Sequence, residues 1–181
     1  MARPARKTRA LLQRFRRARE GSAAVEFAFV AGPFLALMFG ILDLGLVFLV
    51  ATTLENAVDE ASRKIRTGEF QTAGGTASTF KTTVCDEMSW LGSGCSSSVY
   101  VDVRTFPKFA DVTTTDPTTD GAFDATKTVF STGVSESIVV VRVYYEWSLM
   151  TPLLNPGLKN LANGKRLIST TATFRNEPYA L

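Results

Sequence analysis

Histidine is absent from this 181-residue sequence, and cysteine occurs only twice. Without histidine, the side chain that most often acts as a general base is missing, and any base would have to be Asp, Glu or Lys. The acidic residues of the C-terminal part show no paired spacing of the kind that acid–base catalysis uses. Two thiolates without histidine rarely form a metal site. We therefore expect no catalytic residues, no metal and no other cofactor, and a membrane-bound enzyme is the weakest interpretation.

Positive charge is sparse outside the first 21 residues. This leader holds eight Lys and Arg residues and a single acid, Glu20, which gives it a charge of +7. Because the whole chain carries +3, residues 22–181 carry 3 − 7 = −4. A negatively charged body has no electrostatic basis for binding nucleic acid, so no nucleic-acid partner is expected. A basic leader beside an apolar segment is typical of proteins whose membrane orientation it fixes.

Charge is almost missing from residues 27–50, where Asp43 is the one ionisable side chain. As a helix, these 24 residues extend about 36 Å, which is enough to cross a hydrocarbon core about 30 Å thick. The segment therefore predicts a membrane span, and membrane lipid is an expected partner. Because positive charge stays on the cytoplasmic side, we expect the leader inside and residues 55–181 outside.

The chain after the span combines helical and strand patterns. Apolar residues at helical spacing predict that the helix continues as an amphipathic stalk; they are Leu54, Ala57, Val58, Ala61 and Ile65. A shorter helix is expected over about 76–91. Alternating residues in "SVYVDVRTF", "SIVVVRVYYEWSL" and "LISTTATF" predict three strands. Residues 107–122, rich in Pro, Asp and Thr, predict an exposed loop.

These patterns indicate an α+β protein, with a long N-terminal transmembrane helix that continues as a stalk. A small domain follows, with an antiparallel sheet of at least three strands and a short helix, and the stalk is expected to cover one face of the sheet. The predicted divisions are a basic cytoplasmic leader (1–21), a transmembrane helix (22–53), the stalk (54–67) and an external α+β domain (68–181). Pro33 lies inside the span, where proline can kink a helix.

Cys85 and Cys95 lie on the external side of the predicted span, in a stretch rich in Gly and Ser. In an oxidising compartment they can close a small loop by a disulfide, which typically contributes about 2–3 kcal/mol. Two free thiols are the alternative.

The two acids in the apolar region each allow two interpretations. Glu26 can be an acid near a helix N-terminus that favours the helix dipole and reaches the headgroups. Asp43 lies roughly 10 Å below the outer end of the span, where it can reach a hydrated defect or pair with another transmembrane helix. A short side chain reaches water poorly, so we favour pairing.

The residues around Glu26 resemble the cleavage motif of type IV prepilins. A basic stretch is followed by Gly21, Ser22, an acid at the fifth position after the glycine, Phe27 and an apolar run. The resemblance implies that a prepilin peptidase cuts between Gly21 and Ser22. It also implies that Glu26 pairs with the new amine of a neighbouring subunit, which would make a carboxylate tolerable in apolar surroundings.

Three longer stretches resemble the TadE family of pseudopilins of the tight-adherence (Flp) pilus. They are "GSAAVEFAFVAGPFLALMFGILDLG", "LENAVDEASRKIRTG" and "STTATFRNEPY". Asp43 stands where that family commonly has Glu, and Pro33 where it often has Pro. The resemblance implies a role in pilus assembly or initiation at the bacterial inner membrane, with a periplasmic C-terminal domain. The implied partners are the prepilin peptidase, pilin and other minor pseudopilins, and the inner-membrane platform proteins.

An uncleaved, single-pass protein whose periplasmic domain binds a partner is the alternative function. Seven aromatic residues could form an exposed binding surface, although at this density at least half are expected in the core. They are Tyr100, Phe106, Phe109, Tyr144, Tyr145, Trp147 and Tyr179.

Overall fold

The computed structural model describes residues 21–113, 115–151 and 156–180. The chain divides after Ile41 into two compact units, and this division falls within the first helix. The predicted basic leader lies outside the described residues, except for Gly21.

The first helix, α1, covers Ser22–Arg66 and contains Pro33 in its interior. It ends where Gly68 adopts a left-handed conformation, with φ of 80°. The backbone amide of Gly68 bonds to the carbonyl oxygen of Ile65 at 3.1 Å. A Cβ atom at Gly68 would lie 2.4 Å from the ring of Tyr179. Glycine is therefore needed at this position both for the turn and for the close approach of the tyrosine ring.

Short helices lead from α1 to the sheet. Thr76 caps the helix Ala77–Glu87 reciprocally. Its hydroxyl accepts a hydrogen bond from the Thr79 amide at 3.3 Å, and its amide donates to the Thr79 hydroxyl at 2.7 Å. The helix predicted over about 76–91 is an α-helix as far as Glu87. A 3₁₀ helix follows it over Ser89–Gly94. The short α-helices are α2 (Glu69–Thr72), α3 (Ala77–Glu87) and α4 (Cys95–Ser98).

The main sheet is antiparallel, has three strands and contains the three predicted strands. The strands of the described chain are β1 (Val99–Phe106), β2 (Thr118–Thr119), β3 (Ala122–Phe123), β4 (Ile138–Trp147) and β5 (Arg166–Arg175). The order in the main sheet is β1-β4-β5, and β2 and β3 form a separate hairpin. The fold is α+β, as predicted.

The core lies between the C-terminal part of α1 and one face of the sheet. The predicted apolar stripe of the stalk is buried throughout and belongs to one cluster with Val139, Val141 and Val143 of β4 and with Phe80 and Val84 of α3. Full burial of one such aliphatic side chain contributes roughly 1.5–3 kcal/mol. The stripe therefore fixes α1 to the sheet. Nothing in the helix marks a boundary between residues 53 and 54, so the predicted domain limits stay predictions.

The other face of the sheet is also covered. Phe123, just after the predicted loop, stacks on Tyr100 of β1 with 4.1 Å between ring centroids, and it also contacts Tyr144 of β4. Residues 107–122 are mostly exposed, as predicted. The chain around them nevertheless packs on the sheet, which explains why eight consecutive residues of β4 are buried.

A charged cluster lies beneath this cover. Asp102 is buried and accepts hydrogen bonds from the Arg104 Nε at 2.9 Å and from the Val129 amide at 2.8 Å. Arg142 is buried beside it and donates to the carbonyl oxygen of Thr113. The Arg142 Nη1 lies 3.8 Å from Asp102 Oδ2, close enough for an ion pair but too far for a hydrogen bond. The cluster ties the loop segments to β1 and β4.

The seven aromatic residues do not form one exposed surface. Tyr144 and Tyr145 are buried, and Phe109 is the exposed member of the set. The others are partly buried.

Candidate functional site on the N-terminal helix

The N-terminal part of α1 carries a large apolar surface. Large side chains along residues 25–41 are exposed, with Phe27 at 73% and Phe29 at 77%. Soluble monomeric proteins rarely expose continuous apolar surfaces of this kind. By length and composition, α1 is apolar enough to cross a membrane, which agrees with the predicted span.

The residues of the predicted cleavage site lie at the start of this surface. Gly21 directly precedes α1, whose first residue is Ser22. A Cβ atom on Gly21 would meet nothing within 4 Å, so packing within the described chain does not require glycine at this position. Glu26 and Phe27 are exposed in the first turns of α1. Glu26 follows Ser22 by four residues, which is about one turn of the helix.

Asp43 has a different environment, since its side chain is 1% exposed. Its Oδ1 accepts a hydrogen bond from the Met150 amide at 3.0 Å, and its Oδ2 accepts one from the Thr151 amide at 2.9 Å. The hydroxyl of Thr151 also donates to Oδ2. A buried carboxylate needs several donors to replace water, and here the segment that follows β4 supplies them. We call this arrangement the Asp43 clasp.

The Asp43 clasp concerns the prediction that Asp43 pairs with another transmembrane helix. Its carboxylate already has partners within its own chain, and its role in assembly stays a prediction. Sequence reasoning missed Met150 and Thr151 because two of the three donors are backbone amides. A main-chain donor leaves no signature in the residue types.

Cys85 and Cys95 form a disulfide, as predicted. The bond joins α3 to α4, and Cys95 is buried in the core cluster. It thereby ties the short helices to the start of β1.

Among the residues that the structure describes, no group of three or more Cys, Asp or Glu side chains is placed to hold a metal ion. An open groove of about 560 Å³ runs between the C-terminal part of α1 and β5 and is lined by Asp59, Glu60, Arg63 and Arg66. Glu60 and Arg63 form an exposed ion pair at 2.6 Å, and the hydrogen bond from Arg63 lowers the pKa of Glu60. Charges of both signs alternate here, so the groove offers no concentrated field for a charged ligand.

Comparison with known families connects the helix to a function. Residues 21–63 match the family model described as TadE-like protein. This segment is TadE-like. The match starts at Gly21, includes Glu26, Phe27 and Asp43, and ends in the buried part of α1, so the resemblance found in the sequence is confirmed over this segment. No curated protein and no solved structure matches the chain.

The TadE-like match associates the chain with the Tad pilus. Components of this family are in general not enzymes. The matched segment is less than half of the chain, and it excludes the sheet. The apolar surface of its helix is consistent with a membrane-anchored pilus component.

Proposed function

We propose that this protein is a pseudopilin of the tight-adherence pilus that prepilin peptidase cuts between Gly21 and Ser22, and that acts in pilus assembly or initiation. The observation that carries the proposal is that the TadE-like match and the exposed apolar helix begin within two residues of each other, at Gly21 and Ser22. The glycine thus stands at the junction of a basic leader and a helix suited to a membrane.

Cleavage at this junction is supported by the surroundings of Gly21. Glycine is not needed there for packing within the described residues, so its small size is available for recognition by an enzyme. Cutting after Gly21 removes a leader of charge +7 and creates a positively charged amine at Ser22. The charge that fixed the orientation is then replaced by a single cation at the end of α1.

Assembly is supported by the same surface. An exposed apolar helix must be covered by lipid in the membrane, and by other apolar helices if it leaves the membrane. Glu26 lies one turn from the new amine, so in a bundle of such helices each carboxylate can meet the amine of a neighbour. Pairing of this kind offsets the cost of placing both charges in apolar surroundings.

The proposed partners are the prepilin peptidase, pilin, other minor pseudopilins, the inner-membrane platform proteins and membrane lipid. We place the N-terminus in the cytoplasm and the sheet domain in the periplasm. The Cys85–Cys95 disulfide supports this orientation, since such bonds persist in oxidising compartments.

The test is the mass of the protein isolated from membranes of cells with and without prepilin peptidase. We expect a mass that lacks residues 1–21 only when the peptidase is present. Gly21→Leu should block the cut. Gly32→Leu is the matched control, because Gly32 lies in α1 beyond the proposed cleavage site and, like Gly21, has nothing within 4 Å of a Cβ atom.

An intact leader in cells that contain an active peptidase would contradict the proposal. It would favour the alternative, an uncleaved anchor with a periplasmic binding domain. Glu26→Ala separates cleavage from assembly. A variant that is cut, localised and incorporated normally would refute the pairing role of Glu26 and leave the cleavage site in place.

A further inference from the structure

The unit that begins at Leu42 also exposes apolar side chains of α1. Leu42, Leu44, Phe48 and Leu49 are all at least half exposed, and Phe48 reaches 70%. Buried residues that face the domain lie between these positions, at Asp43 and Val47, and directly after them, at Val50. Over residues 42–50, one side of the helix is thus covered by the domain, while the other side is apolar and bare.

Polar residues follow this bare apolar side directly. Thr52, Thr53 and Glu55 are the next positions along the helix at which partly or fully exposed residues carry hydroxyl or carboxylate groups. The exposed surface of α1 therefore changes from apolar to polar at about residues 49–53. If lipid covers the apolar side, its polar boundary lies near this level.

The domain reaches further toward the N-terminus of α1 than this change from apolar to polar surface. Asp43 is six residues before Leu49, which corresponds to about 9 Å along the helix. The Asp43 clasp holds Met150 and Thr151 beside this position. Met150 is 67% exposed, although the preceding Leu149 is buried. The exposed side chain of Met150 is thus held beside residue 43 of α1, where the opposite side of the helix is still apolar.

The length of the apolar run in α1 agrees with this placement. If residues 27–50 cross the bilayer, Asp43 lies seven residues, or roughly 10 Å, before the outer end of the span at Val50. The segment attached to Asp43 then lies in the outer part of the hydrocarbon core, near the headgroup region.

The hydrogen bonds of the Asp43 clasp suit a location at the outer edge of the hydrocarbon core. Backbone amides that enter lipid lose water as a partner and must be satisfied by protein. The amides of Met150 and Thr151 both donate to the Asp43 carboxylate. A turn that points an apolar side chain outward while its amides bond inward is compatible with immersion in a bilayer.

We propose that residues 148–151 form a second lipid contact, in which Met150 inserts into the interfacial region of the outer leaflet and the Asp43 clasp sets its depth. The occupant of this surface is membrane lipid, because the surface continues the apolar exposed side of a helix suited to span the bilayer. The inference depends on the membrane anchoring in the proposed function but not on cleavage at Gly21.

The test uses an environment-sensitive fluorophore on single added cysteines in the full chain, with the native disulfide intact. The probe is placed by Met150→Cys. Leu37→Cys is the membrane control and Val134→Cys the control remote from the membrane, because these three residues have similar exposures of 67%, 63% and 59%. Hydrogen bonds connect Val134 to the C-terminal end of α1. The Val134 carbonyl oxygen accepts from the side-chain amide of Asn176, and the backbone amide of the next residue, Glu177, donates to the Arg66 carbonyl oxygen. Arg66 is roughly 35 Å along α1 from Asp43.

The proteins are reconstituted in vesicles of phosphatidylcholine and phosphatidylglycerol with ordinary or brominated acyl chains. We expect brominated lipid to quench the probe at position 150 nearly as strongly as the probe at position 37, and to leave position 134 unchanged. Asp43→Asn deprives one of the two amides of its acceptor, and it should reduce quenching at position 150 without changing position 37.

Position 150 behaving like position 134, while position 37 is quenched, would overturn the proposal and leave the anchor intact. Absence of quenching at position 37 would instead refute the anchor and, with it, the proposed function. A second chain is the other possible cover for Met150. In that case quenching at position 150 would fall as unlabelled protein is added at constant lipid, and such a fall would also overturn the proposal.

Discussion

The Asp43 clasp provides the sharpest test of how the domain is attached to its helix. Replacing Asp43 by Ala removes the acceptor for the amides of Met150 and Thr151 and for the Thr151 hydroxyl. Because Asp43 is almost completely buried, no bulk water replaces it directly. The segment after β4 should therefore detach from α1.

The magnitude follows from two opposing effects. A hydrogen bond to a charged group contributes about 1.5–3 kcal/mol, and a buried amide left without an acceptor costs about 1–3 kcal/mol. Against this, removing the carboxylate relieves a desolvation cost of several kcal/mol. We expect a net loss of about 2–4 kcal/mol in the free energy of unfolding for Asp43→Ala. Asp43→Asn keeps one acceptor oxygen and should lose about half as much.

The assay is denaturant unfolding of the full chain in detergent micelles, combined with amide hydrogen exchange. Exchange at Met150 and Thr151 should accelerate in Asp43→Ala, whereas exchange in the centre of β4 should change only by the global loss of stability. Leu44→Ala is the control, since Leu44 is adjacent in the helix but exposed. Unchanged stability together with unchanged exchange at both amides would refute the reasoning.

Three further predictions concern the domain. Gly68→Ala should destabilise the fold by about 1–3 kcal/mol, measured by denaturant unfolding, because the left-handed backbone and the ring of Tyr179 leave no room for a methyl group. Replacing Cys85 and Cys95 by Ser should cost about 2–3 kcal/mol, and a reducing agent should then have no further effect on stability. Hydrogen bonds from the hydroxyls of Thr126 and Thr119 lower the pKa of Asp124 from its ordinary 3.8. The ionised Asp124 therefore contributes to stability above pH 3.8, and this contribution is lost as the pH falls through the lower pKa of the folded state. Chemical shifts of Thr119 and Thr126 in acid should follow this titration, and Asp124→Asn should remove it there while leaving the titration of Asp116, which bonds to Thr118, in place.

Patterns that depend on side-chain type were sufficient to predict much of the fold. The spacing of Leu54, Val58 and Ile65 predicted a helix that covers a sheet, because a 3.6-residue period leaves one face for burial. The three alternating stretches became the three strands of the main sheet. Cys85 and Cys95 formed the expected bond.

Features that depend on the backbone or on packing from a distance could not be predicted in this way. The nearly continuous apolar run of β4 is compatible with burial of both faces. The sequence does not reveal which segment covers the second face, because that segment has no period. The edge of β5 is another feature that the residue types do not predict. There the side chain of Asn160 pairs with the backbone of Leu167 as another strand would. Its Oδ1 accepts from the Leu167 amide at 2.6 Å, and its Nδ2 donates to the Leu167 carbonyl oxygen at 3.1 Å.

The two acids of the TadE-like segment therefore differ in what they require from other molecules. The hydrogen bonds of Asp43 connect α1 to its own domain, so any movement of this part of the helix must carry the segment around Met150 with it. Glu26 lies in the exposed apolar segment, which offers lateral contacts to lipid or to other helices. If the protein leaves the membrane for a filament, the apolar side of α1 and Met150 would both lose the lipid that we propose covers them. A neighbouring subunit that packed only along the helix would leave the methionine in water, so the two proposals together predict contact at both surfaces.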